Sequence, residues 1–279
     1  MPLMPGAEPF EQLLPAEGAK VGVLLCHGFS GSPASMRPWA QHLADAGFSV
    51  TVPRLPGHGT RWQDMNLTRW TDWYAEVERA LLRLAQHCDR VAVAGMSMGG
   101  SLAIRLTEQY AGSGPKSLGD AFIGTILVNP ALATERKDAP LLPIAQRFIP
   151  AFPGIANDIA KPGVDEVAYT KLPLKAAYSL QQLWKIARTD LPTVTTPVLL
   201  YQSRTDHIVE AVSSKILLEG IRSNDVTHRI LSRSYHVATL DYDAEFIYDD
   251  SVRWLRERAA APVGAASADG APDHVERAS

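Results

Sequence analysis

The pentapeptide Gly95-Met96-Ser97-Met98-Gly99 follows directly on the apolar run Arg90-Val91-Ala92-Val93-Ala94 and precedes Gly100-Ser101-Leu102-Ala103-Ile104-Arg105-Leu106. That order reads as strand, sharp turn and helix. A glycine on each side of the serine lets the backbone turn tightly enough to lift the hydroxyl above the end of the strand. By chance alone G-x-S-x-G marks a serine in a tight turn. The buried strand before it and the small-residue helix after it point instead to Ser97 as a nucleophile.

A serine hydroxyl attacks poorly until a base takes its proton, and the base needs a third group to orient it. One known arrangement places these partners in the order Ser, Asp or Glu, His. Asp206, in Tyr201-Gln202-Ser203-Arg204-Thr205-Asp206, stands just past a late strand and is the candidate acid. The competing reading of Asp206 is a residue that caps the next helix or closes a turn. His236, in Ser234-Tyr235-His236, follows one strand later and is the candidate base. The other seven of the eight histidines fit less well. His27 and His58 sit beside glycines in loops and read as structural. His42 and His87 lie on expected helices, His228 starts a strand, and His274 is in the tail. His207 adjoins Asp206 but leaves Ser97 without a base arriving from the last loop.

Acyl transfer also needs hydrogen-bond donors where negative charge develops on the carbonyl oxygen. The backbone N–H of Met98, next after the nucleophile, supplies one in this type of turn. The loop His27-Gly28-Phe29-Ser30-Gly31 fits the second, with Phe29 as the N–H donor. Its small residues allow a substrate to approach the main chain. No metal or organic cofactor is expected for this chemistry.

The elements that must position these residues are legible in the pattern. Segments at 20–26, 48–52, 90–94, 122–128, 197–201 and 227–231 predict strands, and 20–26 is a continuous apolar run bounded by turn residues, as in a central parallel strand. Helices are expected at 34–46, 70–87, 100–106, 212–218 and 244–258. Strands alternating with helices give an α/β fold with a mostly parallel central sheet and helices on both faces. Residues 131–191 break the rhythm, separating two strands by far more than a normal crossover and carrying six prolines between Pro140 and Pro173. A structureless loop of that length is implausible, so a small, mostly helical inserted cap is expected there. The core then comprises residues 1–130 and 192–258. Residues 259–279, rich in Ala, Gly, Asp and Ser, are expected to be disordered.

Composition narrows the alternatives. The 279 residues are 46% hydrophobic and 20% charged with a net charge of −3, enough for one large core and too little positive charge for nucleic-acid binding. Cys26 and Cys88 lack metal-ligand spacing and read as reduced thiols. The first fifteen residues hold four prolines and no Lys or Arg, and no run reaches the ~18 apolar residues of a bilayer span. A cytoplasmic address follows as the expectation, and nothing in the pattern specifies an oligomeric state. Leu141, Leu142, Ile144, Phe148, Ile149 and Phe152, with Arg147 among them, concentrate apolar side chains in the cap. They either line an acyl pocket from above or face outward as a transient contact with a membrane or lipid surface.

Four segments together resemble one family: Gly28-Phe29-Ser30-Gly31-Ser32-Pro33, Pro53-Arg54-Leu55-Pro56-Gly57-His58-Gly59-Thr60, Gly95-Met96-Ser97-Met98-Gly99-Gly100 and Ser234-Tyr235-His236-Val237-Ala238-Thr239-Leu240-Asp241-Tyr242-Asp243. They are similar to bacterial monoacylglycerol lipases, relatives of small carboxylesterases in the α/β-hydrolase superfamily. The likeness runs from Gly6 to Trp254. It implies Ser97, Asp206 and His236 as the triad, Phe29 and Met98 as the oxyanion hole, and a lipid ester, most specifically a monoacylglycerol, as substrate. It further implies a cap glutamate and isoleucine shaping the alcohol pocket, at Glu166 and Ile155. The proline-rich cap, 140–154, departs from the family pattern. The same triad also serves thioesterases, acyltransferases and broader carboxylesterases, and the fold alone also suits a non-catalytic receptor for hydrophobic ligands. Dehalogenase and epoxide hydrolase chemistry is disfavoured, because it needs a carboxylate where Ser97 stands.

Overall fold

Alternating residues of the central strands face two separate hydrophobic clusters, which is how a period-two pattern reads when both faces of a sheet are covered. In the computed structural model, which describes residues 2–15, 18, 20–154 and 157–260, Val91 and Val93 face one cluster while Ala92, Ala94 and Met96 face the other. Leu24 and Cys26 divide from Val23 and Leu25 in the same way.

The strands are β1 (Phe10–Gln12), β2 (Val21–Cys26), β3 (Ser49–Val52), β4 (Arg90–Met96), β5 (Phe122–Val128), β6 (Ala151–Pro153), β7 (Lys171–Pro173), β8 (Val198–Ser203) and β9 (Val226–Leu231). Seven of them form one sheet in the order β1-β3-β2-β4-β5-β8-β9. All its pairings are parallel except β1 on β3. The six strands expected from the sequence lie within two residues of these bounds. The short edge strand β1 had no apolar signal because its three residues are half-exposed or exposed.

The helices are α1 (Arg37–Asp45), α2 (Trp62–Met65), α3 (Trp70–His87), α4 (Met98–Tyr110), α5 (Leu142–Ala145), α6 (Leu174–Asp190), α7 (Val212–Gly220) and α8 (Ala244–Ala260). One sheet face is covered by α1 and α8 through Trp39, Leu43, Ile247, Trp254 and Leu255. The other is covered by α3, α4 and α7 through residues such as Trp73, Leu81, Leu102, Leu106 and Leu217. The expected helix at 34–46 divides in two: Pro33–Ser35 form a 3-10 turn before α1, with Pro at its first turn, where a missing N–H costs nothing. Helix α8 runs on to Ala260, so residues 259–260 are helical and not part of a disordered tail as expected. Residues 261–279 lie outside the described residues.

The segment between β5 and β8 is less helical than its expected form. It holds the one-turn α5, the antiparallel pair β6–β7 and long irregular stretches before α6 begins directly after Pro173. The prolines account for this, since each removes a backbone donor and clashes with a preceding helical turn. Helix α6 is bound to the body of the sheet domain. Leu180, Leu183 and Ala187 join the cluster of α3 and α4, Ser179 Oγ accepts the Trp70 N–H at 2.8 Å, and Arg105 on α4 pairs with Asp190 at 2.5 Å. The part of the insertion before α6 is also tied to the body, through Leu132 and Tyr169 in the same cluster and through Asn66 Nδ2, which donates to Pro150 O at 2.7 Å.

Because the central strands are parallel, their carboxyl ends share one edge. The loops carrying His27, Ser97, Asn129, Asp206 and His236 leave β2, β4, β5, β8 and β9 at that edge, the usual place for a ligand site in such a sheet.

Candidate active site

Ser97 alone joins β4 to α4, with φ 57° and ψ −121°, a backbone state costly for a residue with a side chain. The turn is held because both flanking glycines are crossed by main chain. A Cβ at Gly95 would stand 2.2 Å from the Gly99 carbonyl oxygen, and one at Gly99 would stand 2.0 Å from that of Cys26. The Ser97 N–H donates to Val128 O at 3.0 Å, and its carbonyl accepts the N–H groups of Gly100, Ser101 and Ala131. Strain at one residue is thus over-determined by hydrogen bonds to β5, to the following loop and to the helix it starts. Ser97 is 7% exposed and lines a cavity of about 490 Å³.

Asp206 lies in the loop after β8 and His236 in the loop after β9. The Asp206 carboxylate has two functions in the structure, one per oxygen. Its Oδ1 accepts the N–H groups of Ile208 at 2.9 Å and Val209 at 2.8 Å, closing the turn, while Oδ2 accepts a hydrogen bond from His236 Nδ1 at 2.8 Å. That bond leaves Nε2 as the ring nitrogen to exchange a proton, and His236 lines the same cavity as Ser97. Burial pushes the Asp206 carboxyl up, but its hydrogen bond and charge interaction with His236, and the two amides, bring it below the usual range. For His236 the order is similar. Burial lowers its pKa, and the hydrogen bond and charge of Asp206, with further negative charge from Glu166 and Asp158, carry it above the ordinary histidine value.

Sequence reasoning passed over the residue that fixes this pair from below. Asn129, at the end of β5 with φ 45°, donates from Nδ2 to His236 O at 2.8 Å and to Ser203 Oγ at 3.0 Å, and accepts the Ser203 N–H at 2.7 Å. An Asn-Pro pair at a strand end was the available signal, since Asn tolerates the left-handed state. His27 and His58 are fully buried, as their structural reading requires. His27 donates from Nδ1 to Gly28 O at 3.0 Å and accepts the Leu55 N–H at Nε2, so the neutral ring fastens the 27–31 loop to the 53–60 loop. Burial lowers its pKa to about 4. His207 bonds Asp158, His42 meets Asp249, His87 meets Leu14 O and His228 meets Gln202. His274 lies outside the described residues.

Phe29 lines the cavity and leans edge-on against Trp73, with ring centroids 6.1 Å apart. Met98 has its side chain in the core, and its N–H belongs to the first turn of α4, where no intrahelical acceptor exists. Among the described residues neither N–H has a hydrogen-bond partner. Glu166 sits in the same cavity, with Oε1 only 2.7 Å from where a Cβ on Gly31 would lie, beside the Phe29 loop. Its carboxyl has no hydrogen-bond or ion-pair partner among the described residues. Burial raises its pKa to about 7, against a smaller opposite pull from His236. Ile155 lies outside the described residues.

The cavity wall also carries apolar side chains, among them Leu142, Ala145, Leu174, Ala177, Leu180 and Ile208. Its polar and charged side chains come from 157–166 and the loops after β8 and β9, and also from Thr134, Arg136, Asp138, Lys171 and Gln181. A second, open groove of about 770 Å³, lined by insertion residues from Ala133–Pro140 and by α6, holds none of the candidate residues. Among the described residues no cluster of three or more metal-ligating side chains is present.

A family model described as Serine aminopeptidase, S33 matches residues 18–243. The chain is 38% identical over 258 residues to a thermostable monoacylglycerol lipase from Bacillus sp. (strain H-257), covering 92% of this chain and 98% of the relative. The chain belongs to the bacterial monoacylglycerol lipase and esterase family of α/β-hydrolases. A solved structure from work on the metagenome-derived lipolytic enzymes LipS and LipT shares 38% identity and a TM-score of 0.82, over 92% of this chain and all of that one. A carboxylesterase of Bacillus subtilis (strain 168) is 23% identical across 86% of this chain and 94% of its own. The protein is accordingly a carboxylic ester hydrolase.

Were His236 the base of this hydrolase, its pKa above the ordinary histidine value would set the acidic side of the pH profile. Protonated His236 cannot accept the serine proton, so kcat/KM is expected to rise with pH through a limb above 6.5 and to fall away below it. Initial rates on a soluble ester from pH 5 to 9 check this, and a limb well below 6.5 contradicts the assignment.

Proposed function

We propose that Ser97, Asp206 and His236 form the catalytic triad, and that the preferred substrate is a monoacylglycerol, cleaved to fatty acid and glycerol. The observation that carries this reading is the 2.8 Å His236–Asp206 bond at the rim of the cavity that also holds the strained Ser97. In this mechanism Ser97 Oγ attacks the ester carbonyl while His236 Nε2 takes its proton. Asp206 keeps the imidazole in the Nδ1–H tautomer and stabilises the imidazolium. The N–H groups of Phe29 and Met98 receive the negative charge that develops on the carbonyl oxygen. The alcohol departs with the proton from His236, and water then releases the acyl group from Ser97 by the same base. Ser97→Ala is expected to lower kcat on a short p-nitrophenyl ester by at least ~10³-fold and to abolish fluorophosphonate labelling. Wild-type turnover in that variant sinks the triad.

The arrangement of the wall supports the substrate class. The apolar side chains of 141–145 and α6 suit an acyl chain, and Glu166, unpaired beside the Phe29 loop, suits the hydroxyls of a glycerol leaving group. A buried carboxyl near half-protonation both accepts and donates hydrogen bonds. Glu166→Gln is expected to cut kcat/KM on monoacylglycerols by about 10- to 100-fold, the worth of a hydrogen bond to a charged group, and to spare p-nitrophenyl esters. Equal losses on both substrates count against an alcohol-pocket role. The matched family description names a peptidase, and measurable turnover of aminoacyl amides with none of esters favours that reading instead.

Access to lipid follows from the exposed ridge of the insertion. Phe148 is 81% exposed, Leu141 62% and Ile144 61%, whereas Leu142 turns into the cavity. Leu141 and Phe152 belong to both, lining the cavity while remaining exposed. No helix among the described residues is long and apolar enough to cross a membrane. The ridge suits shallow, reversible contact with a lipid surface at the cavity mouth. Ile144→Ser/Phe148→Ser is expected to weaken sedimentation with phosphatidylglycerol-containing liposomes while leaving turnover of a soluble ester intact. Equal liposome binding by variant and wild type removes this contact.

A further inference from the structure

The insertion hydrogen-bonds to both loops of the proposed acid and base through the carboxylate of Asp158. Asp158 lies in the 157–161 segment, with its side chain 10% exposed. Its Oδ2 accepts two backbone amides: that of His236 at 3.1 Å and that of His207, the residue after Asp206, at 3.2 Å. Its Oδ1 bonds the His207 ring at Nδ1, 2.7 Å away, and its own carbonyl accepts the Val237 N–H at 3.1 Å. The His207 ring also packs edge-on against Tyr235, centroids 4.8 Å apart. Three residues along, the staple repeats, with the Asp241 carboxylate accepting the N–H groups of Ala160, Lys161 and Tyr235 at 2.7–2.9 Å.

We propose that Asp158 is a positioning residue for the reaction, one oxygen setting the distance between the loop that carries the acid and the loop that carries the base. The two loops come from different strands and meet at the Asp206–His236 bond and at the edge-on His207–Tyr235 rings, contacts that depend on their separation. Two amides converging on one acceptor fix that separation from outside the triad. The same side chain places a negative charge near His236, whose other titratable neighbours are Asp206 and Glu166, with His207 and Tyr235 packed on the far side of Asp158. Asp158 therefore also favours the imidazolium formed as Ser97 gives up its proton. Next to Asp158, Asn157 at φ 65° accepts the Glu166 N–H at 2.7 Å. The segment that orders the base thus also orders the proposed alcohol pocket.

This inference rests on the triad reading, and its test separates the two. Wild type, Asp158→Ala, Asp158→Asn and Ser97→Ala are compared on a soluble ester between pH 5 and 9, with thermal unfolding measured in parallel. Asp158→Ala is expected to lower kcat by about 10- to 100-fold, the scale of an ångström-level misplacement, with KM within about threefold. Asp158→Asn keeps an oxygen acceptor for both amides and should recover most of kcat at alkaline pH. In both variants the acidic limb should move to lower pH, because a negative charge near His236 is gone, a shift that a merely structural role does not produce. Should Asp158→Ala not fold, the limb of the isosteric Asn variant decides alone. Wild-type kcat in Asp158→Ala, or an unmoved limb in Asp158→Asn, overturns the proposal while an inactive Ser97→Ala leaves the triad standing. Full activity in Ser97→Ala instead removes the triad on which the proposal rests.

Discussion

A Cβ on Gly99, in the first turn of α4, would stand 2.0 Å from the Cys26 carbonyl oxygen at the end of β2. No side chain fits there, and the rest of the site follows from that contact. Helix α4 can begin one residue after β4 ends, so Ser97 is left as the whole connection and is driven into a positive φ. Its hydroxyl then stands at the mouth of a cavity, and its neighbour's N–H is left without a helical partner. The loop after β2 is brought close by the same contact, with Gly28 packed against the Ser97 Cβ. The proposed nucleophile and both proposed oxyanion donors are therefore consequences of one packing constraint between a helix and a strand.

Electrostatics divides the buried histidines into two kinds. His27 and His58 are enclosed by Trp73, by each other and by main chain, and burial lowers the pKa of both. They serve as neutral struts, exchanging hydrogen bonds with backbone groups of the 27–31 and 53–60 loops. His236 is equally enclosed, but three carboxylates surround it, and their charge outweighs the cost of burial. In the proposed mechanism this ring becomes cationic, and an unpaired buried charge is costly without such compensation. Two of those carboxylates, Glu166 and Asp158, come from the insertion. The segment over the site therefore contributes to the base as well as to the shape of the pocket.

Much of the fold was legible because buried parallel strands leave largely apolar runs, and β2, β3, β4, β5 and β8 are of that kind, whereas β9 is mostly exposed. The order Ser97, Asp206, His236 was legible for a related reason: each follows a parallel strand, and loops after parallel strands must gather at one edge. The insertion resisted the same treatment. Its prolines announced a break in the rhythm, but its β6–β7 pair has three residues per strand, too few for a period to register. The ridge of apolar residues at 141–152 looked uniform in sequence. In the structure it splits, Leu142 inward and Phe148 outward, because direction depends on which neighbours happen to lie beneath.

By itself the sequence determined which residue types could do chemistry and which strands would carry them to a common edge, since both are encoded within runs of five to ten neighbouring residues. Tertiary structure decided what those residues touch. Asn129 beneath the base, Asp158 beside it and Glu166 against Gly31 are ordinary polar residues in ordinary loops, separated by up to 135 positions, as Gly31 and Glu166 are (166 − 31). Hydrogen bonds and charge interactions act over a few ångströms of space and leave no periodic trace along a chain, so only the folded arrangement reveals them.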